Sequence, residues 1–179
     1  MTRIILIGYM GAGKTTVGKD LACRLGVTFY DLDWYIETRM HKRVPEIFAE
    51  SGEEGFRDIE RRMLHEVAEF ENVIISCGGG TPCFYDNMDY LNQQGDVVYL
   101  KATPEVLFRH LKMGKGVRPL LQGKDDDELL AFISEQLSKR EQYYNKARHI
   151  VEVPCMEDGD KINETVDKVL KELNVNDKK

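Results

Sequence analysis

This sequence has no long hydrophobic run and no secretory leader. The longest apolar run near the start, residues 4–7, ends at a glycine and falls far short of the roughly 18 residues that a membrane span needs. The chain does not open with a charged segment, an apolar stretch and a small-residue cleavage site, so no secretory signal is visible. We therefore expect a protein that has no membrane partner.

Cysteine pairs and an excess of basic residues are also missing. The four cysteines form no C-x-x-C pair and are too few for a disulfide scaffold, which favours a reducing, cytoplasmic setting. Twenty-five Lys and Arg against 31 Asp and Glu give a net charge of −6, which argues against a nucleic-acid partner. The sequence has no sustained heptad repeat of the kind that forms a coiled-coil dimer, so we expect a monomer.

Strand-like and helix-like segments alternate along most of the 179 residues. Helices are expected at 14–25, at 104–111, at 125–144, at 158–173 and, as two or three pieces broken near 44–45 and 51–52, within 34–70. Strands are expected at 3–7, 27–31, 73–77, 97–100 and 149–153. This order predicts one α/β domain over 1–179, with three α/β/α layers around a five-stranded parallel sheet. Ligands of such folds bind at the carboxyl ends of the strands.

The strongest single motif follows the first predicted strand. Residues 8–15 match G-x-x-x-x-G-K-[ST] in full and lead directly into a predicted helix. In such a loop the glycines let backbone N–H groups wrap a phosphate, and the helix N-terminus adds partial positive charge. Lys14 is expected to contact the β- and γ-phosphates, and the Thr15 hydroxyl to coordinate Mg²⁺.

Several classes of nucleotide-binding protein share this loop, and other features reduce the choice. A switch GTPase would carry an N-K-x-D segment, but Asn145-Lys146 is followed by Ala147-Arg148. One domain of this size leaves little room for motor machinery. A small-molecule kinase is therefore favoured, and an ATP-sensing module that performs no catalysis stays open as an alternative.

Acidic residues follow the second predicted strand rather than the third. Asp31 and Asp33 are two positions apart, so on an extended segment they would point the same way. One could serve the metal while the other receives an acceptor hydroxyl. The alternative is a pair that caps the next helix, expected to start at residue 34.

Three further segments are candidates for the acceptor site, with a surface ion pair and a flexible turn as the alternatives for the first two. Arg57 and Glu60 have helical i, i+3 spacing, so the carboxylate can hold the guanidinium. The glycines at 78–80 end the third strand, where they would expose backbone N–H groups to a ligand. Arg118 lies in a basic, glycine-punctuated stretch that is expected to close over the phosphoryl group, and Arg140 lies on the following helix.

Together these segments resemble the shikimate kinases, a family of the nucleoside-monophosphate-kinase-like group of P-loop proteins. The resemblance implies that group's P-loop NTPase fold, an acceptor-binding helical segment at about 32–60 and a mobile lid at about 112–124. The matching segments, in family order, are residues 8–15, Asp31-x-Asp33, Gly52-Glu53-x-x-Phe56-Arg57-x-x-Glu60, Gly78-Gly79-Gly80, Arg118-Pro119-Leu120 and Arg140-x-x-Tyr143.

The resemblance implies transfer of the γ-phosphoryl group of ATP to the 3-hydroxyl of shikimate, a step toward chorismate and the aromatic amino acids. Asp33 would bind the acceptor and take its proton, while Lys14 and Arg118 would neutralise phosphate charge. The residues implied to bind shikimate are Asp33, Arg57 and Arg140 for its polar groups, Gly78, Gly79 and Gly80 for its ring, and Phe48 and Phe56 as an apolar wall.

The resemblance likewise implies the ATP and Mg²⁺ ligands. Thr15 and Asp31 would serve Mg²⁺, and Ser76 would reach it through water. The residues implied to contact ATP are Gly11, Ala12, Gly13, Lys14, Thr15, Thr16, Arg109, which would stack on adenine, and Arg118. A gluconate kinase-like enzyme of the same fold is the nearest rival, although it has less reason to combine the arginine, triple-glycine and Arg140 segments.

Overall fold

A five-stranded parallel sheet forms the centre of the protein, whose computed structural model describes residues 2–114 and 123–175. Its strands lie in the order β2-β3-β1-β4-β5, with β1 in the middle. Residues 4–7 of β1 are almost completely buried because helices cover both faces of the sheet. The strands are β1 Arg3–Ile7, β2 Thr28–Asp31, β3 Val73–Ser76, β4 Asp96–Lys101 and β5 His149–Glu152.

The helices form a layer on each face of the sheet. In the described residues they are α1 Lys14–Leu25, α2 Leu32–Met40, α3 Val44–Ala68, α4 Asn87–Gln94, α5 Pro104–Met113, α6 Asp126–Tyr144 and α7 Gly159–Glu172. Helices α1 and α7 pack together on one face. The crossover from β1 to β2, which contains α1, runs toward one edge of the sheet, and the remaining crossovers run toward the other edge. Because all of these connections are right-handed, α3, α4 and α6 lie on the face opposite α1. The predicted three-layer fold is thus confirmed.

The strand order determines where a ligand can bind. The connection after β1 leads toward one edge of the sheet, and the connection after β4 leads toward the other edge. A crevice opens at such a switch point, beside the carboxyl end of the central strand. The P-loop, residues 8–15, therefore lies at the mouth of this crevice.

Most predicted elements begin and end within two residues of the observed ones. The break expected near 51–52 is present as a kink in α3 at Gly52, whose φ of 68° and ψ of −175° are not helical and favour glycine. Helix α4 and a 3₁₀ turn at Thr81–Cys83 were not predicted. Helix α4 has only eight residues, too few to show a helical period.

No helix among residues 2–114 and 123–175 combines the length and the apolar character that a membrane crossing requires.

Candidate active site

The P-loop has the backbone geometry that the motif predicts. Gly11 and Gly13 adopt φ of 83° and 91°, a region that only glycine occupies without strain. Helix α1 then begins at Lys14 with no side-chain cap and no acidic residue in its first turn. The backbone N–H groups at this helix start are therefore available to an anion.

Lys14 places a buried positive charge beside these N–H groups. Only 9% of the residue is exposed, and Nζ donates to the carbonyl oxygens of Gly8 at 2.8 Å and Tyr9 at 3.0 Å. These bonds hold the ammonium group against the loop, in the wall of the cleft described below. A phosphate bound by the loop would meet this fixed charge.

Asp31 caps helix α2 and also contacts the P-loop. Its Oδ1 caps α2 by accepting from the backbone N–H of Asp33 at 3.1 Å and of Trp34 at 3.4 Å. Its Oδ2 accepts from the Thr15 hydroxyl at 3.0 Å. One carboxylate oxygen therefore stabilises the helix, while the other lies beside the P-loop threonine.

Asp33 lies in the first turn of α2, not on an extended segment as expected. Helix α2 begins at Leu32, two residues earlier than predicted, because the Asp31 carboxylate caps it there. The side chain nevertheless faces the cleft. Burial, reinforced by the negative charges of Asp31 and Glu60 and opposed by Lys14, raises the pKa of Asp33 to about 6.

These groups surround one cleft of about 500 Å³ at the carboxyl end of the sheet. Thr16, Ser76 and Cys77 also line it, and burial raises the pKa of the Cys77 thiol. The cleft is also lined by residues that were not predicted to bind a substrate, namely Met10, His110, Met113, Gly114, Met156 and Ile162.

The three glycines after β3 are needed for close packing, since none of them has a positive φ. A Cβ on Gly78 would come within 3.3 Å of Oδ1 of Asp33, and one on Gly79 within 3.4 Å of Nη1 of Arg140. A Cβ on Gly80 would lie 2.6 Å from Nη2 of Arg57. The glycine segment therefore lets one carboxylate and two guanidinium groups approach the backbone closely.

A buried hydrogen-bond chain fixes Arg57. Its Nη1 donates to Oε2 of Glu60 at 2.9 Å, as the i, i+3 spacing predicted, and Glu60 is only 1% exposed. Oε1 of Glu60 accepts from the Thr81 hydroxyl at 2.6 Å, and the Thr81 carbonyl accepts from Asn87 at 2.8 Å. Nε of Arg57 is buried and has no hydrogen-bond partner among the described residues.

Aromatic rings surround the same guanidinium. Phe48 and Phe56 stack with ring centroids 4.3 Å apart, and Phe56 is buried. The Arg57 guanidinium lies 4.0 Å from the Phe84 ring and 5.2 Å from Phe56. No sequence motif pointed to Phe84, because it follows the unpredicted 3₁₀ turn.

Arg140 reaches the glycine segment from α6. Its guanidinium lies 5.3 Å from the Tyr9 ring. Tyr144, rather than Tyr143 of the quoted motif, contacts this region by donating its hydroxyl to the Gly79 carbonyl at 2.5 Å. Arg57 and Arg140 thus flank the glycine segment from two helices.

Two predicted ATP ligands, Arg109 and Ala12, do not line the cleft, and a third lies outside the described residues. Arg109 is 66% exposed and lies 3.9 Å from Glu157, so it does not line the cleft. Ala12 is buried, and its N–H donates to the Tyr9 carbonyl at 3.1 Å. Arg118 and most of the expected lid at 112–124 lie outside the described residues, so both stay predictions.

Comparison with known proteins agrees with this geometry. The family model described as shikimate kinase matches residues 10–174. The shikimate kinase of Phocaeicola vulgatus is 56% identical to this chain, over 97% of the chain and 99% of the relative. A crystal structure of the Bacteroides thetaiotaomicron shikimate kinase has a TM-score of 0.94 and 55% identity, and covers 97% of this chain and 99% of that one.

A more distant structure preserves the same fold. The shikimate kinase of Acinetobacter baumannii, solved in complex with shikimate, has a TM-score of 0.82 and 33% identity, over 97% of this chain and 94% of that one. Fold and P-loop site define the protein as an ATP-dependent kinase of the P-loop class. Within that class, the chain belongs to the shikimate kinase family.

Proposed function

We propose that this chain transfers the γ-phosphoryl group of ATP to the 3-hydroxyl of shikimate, giving shikimate 3-phosphate and ADP. The observation that carries the proposal is a single cleft in which the P-loop faces Asp33 and the glycine segment. Arg57 and Arg140 flank that segment. The cleft thus joins a phosphate site to a site for a small, anionic polyol.

Each end of shikimate has a matching group. The guanidinium groups of Arg57 and Arg140 bind the carboxylate, for which planar forks are better suited than lysine. Helix α2 and the first half of α3, within the segment at about 32–60, supply Asp33, Arg57 and the apolar wall of Phe48 and Phe56. Backbone groups at 78–80 line the ring.

Phosphoryl transfer then requires positioning and charge neutralisation rather than a covalent intermediate. Asp33 accepts the proton of the attacking hydroxyl, and its pKa of about 6 leaves it ionised at neutral pH. Lys14 and the N–H groups of the P-loop bind the phosphates of ATP. Arg118 adds a second positive side chain that neutralises charge on the phosphates.

The oxygen atoms beside the P-loop fit a Mg²⁺ ion. The Thr15 hydroxyl and Oδ2 of Asp31 are 3.0 Å apart and both residues line the cleft, as does Ser76. Mg²⁺ prefers such oxygen ligands and is held by one or two carboxylates together with substrate phosphates. Thr15 and Asp31 would hold the ion, which would supply charge neutralisation for the phosphates of ATP.

Release of ADP in a coupled assay tests the proposed reaction. The purified chain is given Mg-ATP with shikimate, with gluconate, or with no acceptor. We expect release that depends on shikimate. Release with gluconate alone would reject the carboxylate site, and tight ATP binding without release would favour an ATP sensor.

We further propose a cytoplasmic monomer. The groups assigned to both substrates come from this one chain, so the site needs no second copy. The four cysteines are free thiols, which supports a reducing compartment. Light scattering after size-exclusion chromatography should give a mass near 20.6 kDa, and twice that mass would contradict the monomer.

Arg57→Ala should weaken shikimate binding and spare ATP. Losing a charge-assisted hydrogen bond costs about 1.5–3 kcal/mol, so we expect the KM for shikimate to rise roughly ten- to a hundredfold. Arg57→Lys keeps a charge beside buried Glu60 and shows whether the fork itself matters. Steady-state kinetics with each substrate varied in turn measures both effects.

Arg61→Ala is the matched control, since Arg61 lies one turn further along α3 and pairs with Asp86 at the surface. Its KM for shikimate should stay at the wild-type value. An unchanged KM in folded Arg57→Ala would show that Arg57 does not bind the carboxylate.

Gly80→Ala should disturb the same guanidinium without unfolding the protein. The new Cβ would lie 2.6 Å from Nη2 of Arg57, so it would push the guanidinium away from the position in which Glu60 holds it. Because displaced binding groups lose their alignment, we expect the KM for shikimate to rise roughly tenfold while the KM for ATP stays constant. Gly159→Ala is the control, because no atom lies within 4 Å of its added Cβ. Equal shikimate kinetics for both variants would rule out this steric role of Gly80.

A further inference from the structure

His110 joins two segments that surround the P-loop side of the cleft. It lies in the last turn of α5, and its ring lines the cleft. Nδ1 lies 2.6 Å from the Gly11 carbonyl oxygen, and Nε2 lies 2.8 Å from the backbone nitrogen of Met156. One imidazole therefore bridges residues 145 positions apart in the chain, 11 and 156.

Both ring nitrogens have defined roles. The Met156 backbone N–H can only donate, so Nε2 must accept its hydrogen bond. The proton of the neutral ring is then on Nδ1, which donates to the Gly11 carbonyl. No other side chain of similar size supplies a donor and an acceptor in these two directions.

The two bridged segments touch the phosphate loop directly. A Cβ on Gly13 would overlap the Met156 methyl group, so this side chain covers the P-loop at that glycine. A Cβ on Gly11 would lie 3.0 Å from Cγ of Leu111, so the end of α5 also packs on the loop. A shift of Met156 or of α5 would consequently move the walls of the nucleotide site.

A second, weaker contact joins the same two segments. Arg109 lies 3.9 Å from Glu157, but both side chains are mostly exposed, so solvent screens their attraction. The part-buried hydrogen bonds of His110 are therefore the better defined connection.

We propose that His110 is a positioning residue for the nucleotide: it holds the loop after β5 against the P-loop and so sets the affinity for ATP and ADP. The inference rests on the proposed ATP-dependent function. Because His110 contacts the protein rather than the reacting atoms, it acts through Gly11 and Met156. Removing it should weaken nucleotide binding and leave shikimate binding unchanged.

Three substitutions separate the two contacts. His110→Phe keeps a ring but loses both hydrogen bonds. His110→Asn has an amide N–H near the position of Nδ1, and His110→Gln has a carbonyl oxygen near the position of Nε2. Each therefore retains one contact, the first to Gly11 and the second to Met156.

Calorimetric titration of the full chain with Mg-ADP measures nucleotide affinity without an acceptor. Each lost neutral hydrogen bond should raise the Kd roughly two- to tenfold, so we expect the largest rise for His110→Phe and smaller rises for the other two. In steady-state kinetics the KM for ATP should rise in parallel, and the KM for shikimate should stay within about twofold of wild type. His149→Asn, at the opposite end of the sheet, is the control and should bind Mg-ADP as wild type does.

A Kd for Mg-ADP within twofold of wild type in folded His110→Phe would overturn the proposal, even if its melting temperature falls. Equal increases in the KM for both substrates would also overturn it, because they indicate general damage to the site. Failure of the proposed function is distinguishable: the wild-type chain would then bind Mg-ADP but would not phosphorylate shikimate.

Discussion

Lys14→Met should lower turnover by roughly a hundred- to a thousandfold, the cost of removing one preorganised group that stabilises transition-state charge. Methionine keeps an apolar stem of similar length, so the loss is that of the ammonium group. Only 9% of Lys14 is exposed, and the carbonyls of Gly8 and Tyr9 hold its ammonium group where water screens the charge little. The kcat with saturating Mg-ATP and shikimate measures the effect.

Lys19→Met is the matched control for this substitution. Lys19 lies on the same helix, α1, and its ammonium group lies over the exposed Trp34 ring, 4.8 Å from the centroid. Its loss should leave kcat unchanged. Near-normal turnover in Lys14→Met, with the melting temperature preserved, would remove Lys14 from the mechanism.

Asp33→Asn should lower kcat by roughly a hundred- to ten-thousandfold, because an amide cannot accept the hydroxyl proton. The amide keeps the shape of the carboxylate and can still bind a hydroxyl. A large loss of kcat with little change in the KM for shikimate therefore identifies proton transfer. A raised KM for shikimate with an unchanged kcat would show that Asp33 orients the acceptor and is not the base.

The acidic side of the pH profile tests the same residue independently. Since only the ionised carboxylate accepts a proton, kcat/KM for shikimate should fall below a pKa of about 6, which is the value that burial and neighbouring negative charge give Asp33 in the free protein. The decrease should approach tenfold for each unit of pH. Residual activity of Asp33→Asn should lack this titration, and its persistence would assign the pKa to another group.

Asp33 should also make the folded protein less stable at neutral pH. Its pKa is raised from 3.8 to about 6 on folding, so the protonated form is favoured in the native state. This stabilisation is complete below the unfolded pKa and is lost as pH rises through about 6. A rise of this size means that folding disfavours the ionised form of Asp33, relative to its protonated form, by about 2–3 kcal/mol.

Asp33→Asn removes that charge and should raise the free energy of unfolding at pH 8 by about 1–3 kcal/mol, with a smaller gain at pH 5. Denaturant unfolding at the two pH values measures the difference. Asp89→Asn, on the exposed side of α4, should show little gain at either pH. Equal stability of Asp33→Asn and wild type at pH 8 would mean that Asp33 carries no such strain.

Local spacing was enough to predict the P-loop and the ion pair of Arg57 with Glu60. In both cases the interacting groups lie within a few residues, so backbone geometry alone brings them together. The five strands and most helices could likewise be read from hydrophobic periodicity. Helix α4 and the 3₁₀ turn could not, because short polar elements depend on contacts outside their own sequence.

Asp31 illustrates where local reasoning ends. The sequence allowed either a helix cap or a metal ligand, and the extended geometry assumed for Asp31 and Asp33 was wrong. The structure gives one oxygen of Asp31 to α2 and turns the other toward Thr15. That division depends on β2 and α1 lying side by side, which no spacing within residues 31–33 encodes.

The sequence by itself determined the parallel α/β fold, the phosphate loop and, by resemblance, the family to which the chain belongs. The tertiary structure alone decided which distant groups meet: Arg140 and Tyr144 at Gly79, Thr81 at Glu60, and His110 between Gly11 and Met156. The physical reason is range. Propensity and periodicity act over one or two turns of chain, whereas these contacts exist only after the strand order has placed separate loops at one end of the sheet.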